Sequence, residues 1–393
     1  MINKNSKTIV MVGGGIQQVE AARIIKDNGY NLLVTDKEAR AHCREYADHF
    51  SEIDGKNVIE IATYINKVKK HFNIVGILTL TELVETVAKV ARICKLPGVD
   101  PQAAFNCQNK NISSLIWSEK KISTPKGINC NTFQEGLDFF KKLNGPVFVK
   151  PIVGFGGLGS KKIENQVEFT DFFMQHDIGS YLIQEFCLGD MVDVNGFFDD
   201  ESKFNLLGVF DRQFKPNSTI ELSATYPSRL SSEIQREAGR ITEEAARSLG
   251  ISWGPIKSDL VLKDGIFKVF EVAPRLHGPK GTVYLSSLVS SKSHLSKVLP
   301  VISAQKMTEE IDSVTSVSGF RLIEPPKRPY KSIEGLNTLK KNGYQFLIFK
   351  KFSKKILKYE DSVDAIGYIF TSAKDHRELK RKLNEGLKLL AFN

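Results

Sequence analysis

The chain has 393 residues, 41% hydrophobic and 25% charged, enough to bury the cores of two or three ordinary globular domains. No apolar run reaches bilayer-spanning length, and residues 1–8 are polar and lead into a strand, so no membrane span or secretory signal is expected and a cytoplasmic home is. The net charge of +10 is spread along the chain without a basic stripe interleaved with aromatics, which argues against nucleic acid as a partner and leaves anionic small molecules. Five scattered cysteines contain no CxxC, and the seven histidines have no i,i+4 pairing, so neither zinc nor a disulfide framework is favoured.

Taken in order, residues 8–12 read as a strand, Gly13, Gly14 and Gly15 as a tight turn, 16–28 as a helix and 31–35 as a strand ending at Asp36. This resembles a Rossmann-type opening, with an acid about twenty residues after the glycines. The third glycine position is Gln18, which weakens that reading. Residues 58–72 read as a helix and 74–80 as a strand, with Thr81 the N-cap of a further helix that carries Glu82 at its start. A helical linker, 101–125, follows. Residues 192–198 and 204–210 read as an antiparallel pair, with Asp211, Arg212 and Gln213 after the second strand. Residues 232–249 form an amphipathic helix stopped by Gly250. The last part, 311–393, reads as a separate α+β segment with strands at 314–320, 343–350 and 366–371 and a helix at 375–390. The lysine-rich stretch at 340–358 reads as a solvated face.

Two stretches carry chemistry. Residues 146–162 read PVFVKPIVGFGGLGSKK. A short strand ends at Lys150, and Gly154, Gly156, Gly157 and Gly159 follow, then Ser160. Glycine amides in such a loop make a concave anion site, and the lysine adds a full charge. A polyphosphate is the simplest ligand. No Gly-Lys-Ser/Thr follows at Walker spacing, and a strand rather than a helix comes next, so this is neither a P-loop nor a dinucleotide fingerprint. Residues 254–278 read GPIKSDLVLKDGIFKVFEVAPRLHG. Strands at 256–262 and 266–272 flank the turn at Lys263, Asp264 and Gly265. Asp259 and Glu271 can converge on one face of that hairpin and suit Mg2+, with Mn2+ as a substitute. Arg275 stands four residues on, placed to meet a phosphoryl group.

The two stretches, with LIQEFCLGD at 182–190, resemble the ATP-grasp superfamily in its carboxylate–amine ligase branch, over nearly the whole chain. The resemblance implies an α/β and α+β architecture. A Rossmann-like pre-ATP-grasp domain would span 1–108, and an ATP-grasp domain 109–310, with a mobile lid at about 126–189 and a larger nucleotide and metal subdomain. A C-terminal α+β cap would span 311–393. It implies that Lys110 and Lys150 hold the phosphates of ATP under the glycine loop. Phe186 and Cys187 would bond the purine edge, with Gln184 or Glu185 on its amino group. Many members place a ribose-binding acid where this chain has Met191; Asp190 or Asp193 would substitute. Arg212, with Lys215 second, would lie near phosphates or substrate carboxylate. The glycine turn at Gly15, Glu82, Glu221, His277 and Gly278 would border the substrate pocket. Many members read Glu-x-Asn-Pro-Arg, the Asn being a third metal ligand; here the residue is Ala273.

The implied reaction is ATP-dependent joining of a carboxylate and an amine, with amino acids as the expected substrates and a homodimer as the expected assembly. A carboxylate takes the γ-phosphoryl group and an amine displaces phosphate from the acyl phosphate. Three alternatives stay open: a thiol, bicarbonate or hydroxyl acceptor; a non-catalytic nucleotide binder; and an NAD-dependent oxidoreductase built on Gly13, Gly14 and Gly15.

Overall fold

The first strand, β1 (Lys7–Val12), exposes its first residue and buries the other five, the pattern of a strand covered on both faces. It pairs in parallel with β2 (Asn31–Asp36) and β4 (Asn73–Leu78), and β2 with β3 (His49–Glu52), in the order β3-β2-β1-β4. Helices Val19–Asp27 and Val58–Val68 connect β1 to β2 and β3 to β4, and helix Val84–Cys94 follows β4. Helix His294–Ile302, from far along the chain, packs on β4 so closely that a Cβ on Gly76 would lie 2.4 Å from the Ile302 carbonyl oxygen. Only glycine permits that approach. Thr81 does not cap the next helix. The Thr79 hydroxyl accepts its backbone amide, the two hydroxyls lie 2.8 Å apart, and the helix starts three residues later.

The computed structural model describes residues 6–154, 156–216, 218–278, 280–306, 314–355 and 365–393. Phe155, inside the first stretch singled out above, Pro279, the residue after the second, and residues 356–358 of the lysine-rich run lie outside the described residues.

A small antiparallel sheet follows: β5 (Gly127–Ile128), β6 (Val147–Pro151), β7 (Lys161–Ile163) and β8 (Tyr181–Glu185), ordered β5-β8-β6-β7. Helix Phe133–Leu143, opened by a capping box between Thr132 and Glu135, and helix Gln166–Phe173 cover it. Val147, Val149, Ile163, Phe169 and Ile183 give it a core of its own.

The large antiparallel sheet begins with β9 (Asp190–Phe198), β10 (Phe204–Phe214), β11 (Glu221–Tyr226), β12 (Gly254–Lys263) and β13 (Ile266–Ala273). Strand β10 runs past the expected end, so Asp211, Arg212 and Gln213 are strand residues paired with Thr225, Ala224 and Ser223. Strands β14 (Val317–Ile323), β15 (Ile333–Glu334), β16 (Gln345–Ile348), β17 (Gly367–Ala373) and β18 (Ala391–Phe392) complete the set. The segment 311–393 does not build a separate sheet. Strand β14 pairs with β11, and the order is β13-β12-β9-β10-β11-β14-β17-β16; only β15 and β18 pair apart. One core joins the first sheet to the large one, linking Ile9 and Met11 to Phe210, Tyr226, Val298, Phe320 and Phe370.

Period-two alternation sorts the large sheet into an apolar and a charged face. Val192, Val194, Ile256, Leu260 and Val272 pack against helix Ser232–Ser248 through Ala238, Ile241 and Ala245. Their strand neighbours Asp193, Asn195, Lys257, Asp259 and Glu271 form the charged side. Among the described residues, no helix is long and apolar enough to cross a membrane, and all five cysteines are free thiols.

Candidate functional site

Strand register creates the centre of the site. Glu271 pairs with Asp259 and Asp259 with Asp193, so a row of acids crosses β13, β12 and β9. Like charges side by side on a sheet repel unless cations are set among them. Lys257 sits two residues before Asp259 on the same face. Its Nζ is 2.9 and 3.0 Å from the two Asp259 carboxylate oxygens and 2.9 Å from Glu271 Oε1. Arg212 approaches from β10, with Nη1 at 3.0 Å from Asp193 Oδ1 and 3.6 Å from Asp259 Oδ1 and Nε at 2.8 Å from Glu221 Oε1. Burial opposes charge on Glu271 and Asp193, but Lys257 holds the first carboxyl below its usual range, and Arg212 and His277 the second.

Lys110 and Lys150 stand beside this row. Lys110 opens helix Lys110–Glu119, capped by Asn109, and its Nζ donates to the Gly154 carbonyl at 2.8 Å. It is thereby fastened to the glycine loop. Lys150 is buried, and its Nζ lies 3.4 Å from the Phe270 carbonyl oxygen. Burial first, and then Lys110, push its ammonium down to about 8, while Glu271 and Asp259 pull the other way. The loop itself needs its glycines: Gly156, Gly157 and Gly159 have φ of 61°, 75° and 71°. A Cβ on Gly157 would also lie 2.4 Å from that of Thr219. From 154 to 160, among the described residues, only Ser160 N finds a backbone acceptor, Gly157 O at 3.0 Å.

Asp259 and Glu271 thus offer hard oxygens side by side next to two lysines. That donor set suits one Mg2+ whose remaining positions are filled by phosphate oxygens and water. Ala273 adds no ligand. Asp193, Asp259 and His277 also bring three potential ligand atoms within 4.8 Å of one another, but Arg212 already supplies the cation there.

The expected substrate residues gather around the same face. Arg275 is buried and bridges to Glu82, its Nη1 donates to the Leu276 carbonyl at 3.0 Å, and its Nε has no partner among the described residues. Glu82 is therefore an ion-pair partner of Arg275. Glu221 is buried between cations, with Arg212 on Oε1 and Lys280 Nζ at 2.7 Å from Oε2. Burial opposes that charge, yet Arg212 and Lys280 hold it down to about 2. Lys280 lies over the Phe320 and Tyr368 rings, so β14 and β17 line this region. His277 Nδ1 stands 2.6 Å from Asp193 Oδ2, its backbone amide donates to Asn195 Oδ1, and a Cβ on Gly278 would meet open space. The glycine turn reaches this neighbourhood through Gly13, whose added Cβ would lie 3.7 Å from Thr81 Cγ2. Gly15 starts the short helical turn at Ile16–Gln18 and accepts from Gln18 N.

Near the end of β8, Gln184 is buried and its Oε1 has no donor among the described residues. Glu185 is engaged by Lys268 and by the Lys126 amide. Phe186 lies under Lys162, with 4.7 Å from Nζ to the ring, and burial raises the half-buried Cys187 thiol. Of the two acids offered for ribose, Asp193 is shut inside the charged row, whereas Asp190 is exposed at the start of β9 beside Arg229. Lys215 lies 3.9 Å from Glu324. Lys257 is a charged residue that motif reading passed over, and its i, i+2 spacing to Asp259 on a strand was the available signal.

Residues 107–279 match the family profile of the ATP-grasp domain. An uncharacterized protein of Sinorhizobium fredii is 23% identical over 290 residues, 70% of this chain and 59% of its own length. The alpha-aminoadipate–LysW ligase LysX of Saccharolobus solfataricus is 26% identical over 151 residues, 37% of this chain and 54% of its own. The chain thus spans little more than half of either relative. The crystal structure of the L-amino acid ligase from Bacillus licheniformis superposes with a TM-score of 0.85 at 19% identity, covering 100% of this chain and 99% of that one. Residues 107–279 therefore carry an ATP-grasp domain, and the chain has the fold of an ATP-grasp enzyme along its whole length.

Proposed function

We propose that the protein is an ATP-dependent carboxylate–amine ligase that releases ADP and phosphate. One observation carries the reading: Lys110, fastened to the glycine loop at the Gly154 carbonyl, and Lys150 stand beside the Asp259–Glu271 pair. Phosphoryl transfer asks mainly for positioning and charge neutralisation, which this set of groups provides. The likeness to an L-amino acid ligase and to an α-aminoadipate–LysW ligase supports amino acids or amino-acid-like substrates.

Lys110 and Lys150 hold the phosphates, and the loop from Gly154 to Ser160 covers them. Asp259 and Glu271 hold Mg2+, which neutralises charge on the phosphates. A substrate carboxylate oxygen bonds to the γ-phosphorus as the bond to the ADP oxygen breaks. An amine then attacks the carbonyl carbon, the bond to the phosphate oxygen breaks, and the amine gives up a proton. Arg275, held by Glu82, supplies the cation nearest the acyl phosphate and its oxyanion. The deciding experiment is ADP release from Mg-ATP against a panel of amino acids, singly and in pairs, with Glu271→Ala as control. Release that depends on a particular pair and is lost in the control supports the ligase. Release that needs no amine sinks the amine acceptor.

A further inference from the structure

Lys257 occupies the middle of the acid pair. Its three ammonium protons face three carboxylate oxygens, two of Asp259 and one of Glu271, at 2.9 to 3.0 Å. The side chain is 5% exposed, so this is a fixed, desolvated charge and not a surface contact. Directly opposite Lys257 in the β12–β13 register is Ala273. The two positions share one patch of the sheet face. An amide side chain at 273 would enter the space where the lysine runs, and a methyl group leaves that space to it. The surrounding charge is already balanced: Arg212 bears on Asp193 and Asp259, and Lys110 and Lys150 stand on the phosphate side. A second dication would meet this crowd of cations at short range.

Resting on the ATP reading above, we propose that Lys257 is a built-in cation that takes one of the cation positions at the acid pair, so that nucleotide binds with a single divalent ion. Lys257 and Ala273 form one unit: the lysine fills the position, and the alanine withholds the ligand that would complete a second ion site. The lysine acts through the carboxylates, as a positioning residue for the metal.

The test counts Mn2+ by electron paramagnetic resonance at saturating non-hydrolysable ATP analogue, with analogue binding measured separately by calorimetry. The wild-type chain is expected to bind one Mn2+ per nucleotide. The Lys257→Gln/Ala273→Asn double variant is expected to bind a second, and Lys257→Gln alone to tighten Mn2+ by about ten- to a hundredfold, the usual size of neighbouring-group effects on metal sites. Ala273→Asn alone, which keeps the lysine, should stay at one ion. Thermal melts with chelator and with Mn2+ add a readout independent of turnover: Mn2+ should raise the melting temperature of Lys257→Gln more than that of the wild type. Two ions in the wild type overturn the inference and leave the ATP reading standing. One ion in the double variant, with analogue still bound, also overturns it. No analogue binding by the wild type overturns both. The wild-type count needs no variant to fold.

Discussion

Two glycine-rich turns, at 13–15 and 154–159, look alike in the sequence and do opposite things. In the first, two amides are spent: Gly13 N donates to the Thr35 carbonyl at 2.8 Å and Gly14 N to Asp36 Oδ2 at 2.6 Å. Gly14 is there for packing, since its Cβ would lie 2.9 Å from Val34 Cγ1. In the second, three glycines adopt left-handed φ, and Lys110 and Lys150 stand beside them. An anion site needs free amides and a cation together. Asp36, which a dinucleotide reading would give to a ribose, ties down the first turn through Gly14 N.

The sharpest way to extend this contrast is at Arg275, the cation proposed to act beyond the loop. Arg275→Ala should lose about 3–4 kcal/mol of transition-state stabilisation, by analogy with loss of an oxyanion-hole donor. Turnover should vanish while calorimetric ATP affinity is kept; unchanged turnover would remove Arg275 from the reaction. Next is Lys150→Met, which should weaken ATP binding by about 1.5–3 kcal/mol, the worth of a charged hydrogen bond. Unaltered affinity would break the contrast between the turns.

The Lys150 ammonium also predicts a pH effect. In the free protein it loses its proton as pH rises through about 8. Phosphate favours the charged form, so ATP affinity should fall as pH rises above that value, with proton uptake on binding seen as a buffer-dependent heat. For stability the sign is the reverse of an ordinary ion pair. An unfolded chain keeps this lysine charged to its ordinary 10.5, so between about 8 and 10.5 the unfolded state binds more protons and stability gains with pH. Lys150→Met should abolish that gain in denaturant titrations. The smallest effect is expected at the first turn. Asp36→Ala should lower unfolding free energy by about 1 kcal/mol through the lost bond to Gly14 N, and leave ATP affinity alone. A loss of ATP affinity there would mean the two turns are not separate in function.

Much of the site was legible because it is local. The glycine loop, Lys150, and the hairpin that sets Asp259 against Glu271 follow from short-range turn chemistry and strand alternation. The partners of those residues were not. Glu82 reaches Arg275 across nearly two hundred residues, and Glu221 is held between Arg212 and Lys280. The C-terminal strands were readable as strands, but their addition to the large sheet through β11 and β14 was not.

The sequence by itself determined where strands turn, which faces are apolar, and which loop can present bare amides, because these depend on neighbours within a few residues. Tertiary structure alone decided which charges meet. Lys257 reads as one more strand lysine until β13 and β9 close on either side of β12. Burial then makes its contacts with Asp259 and Glu271 costly to leave unmade, and gives that lysine its significance.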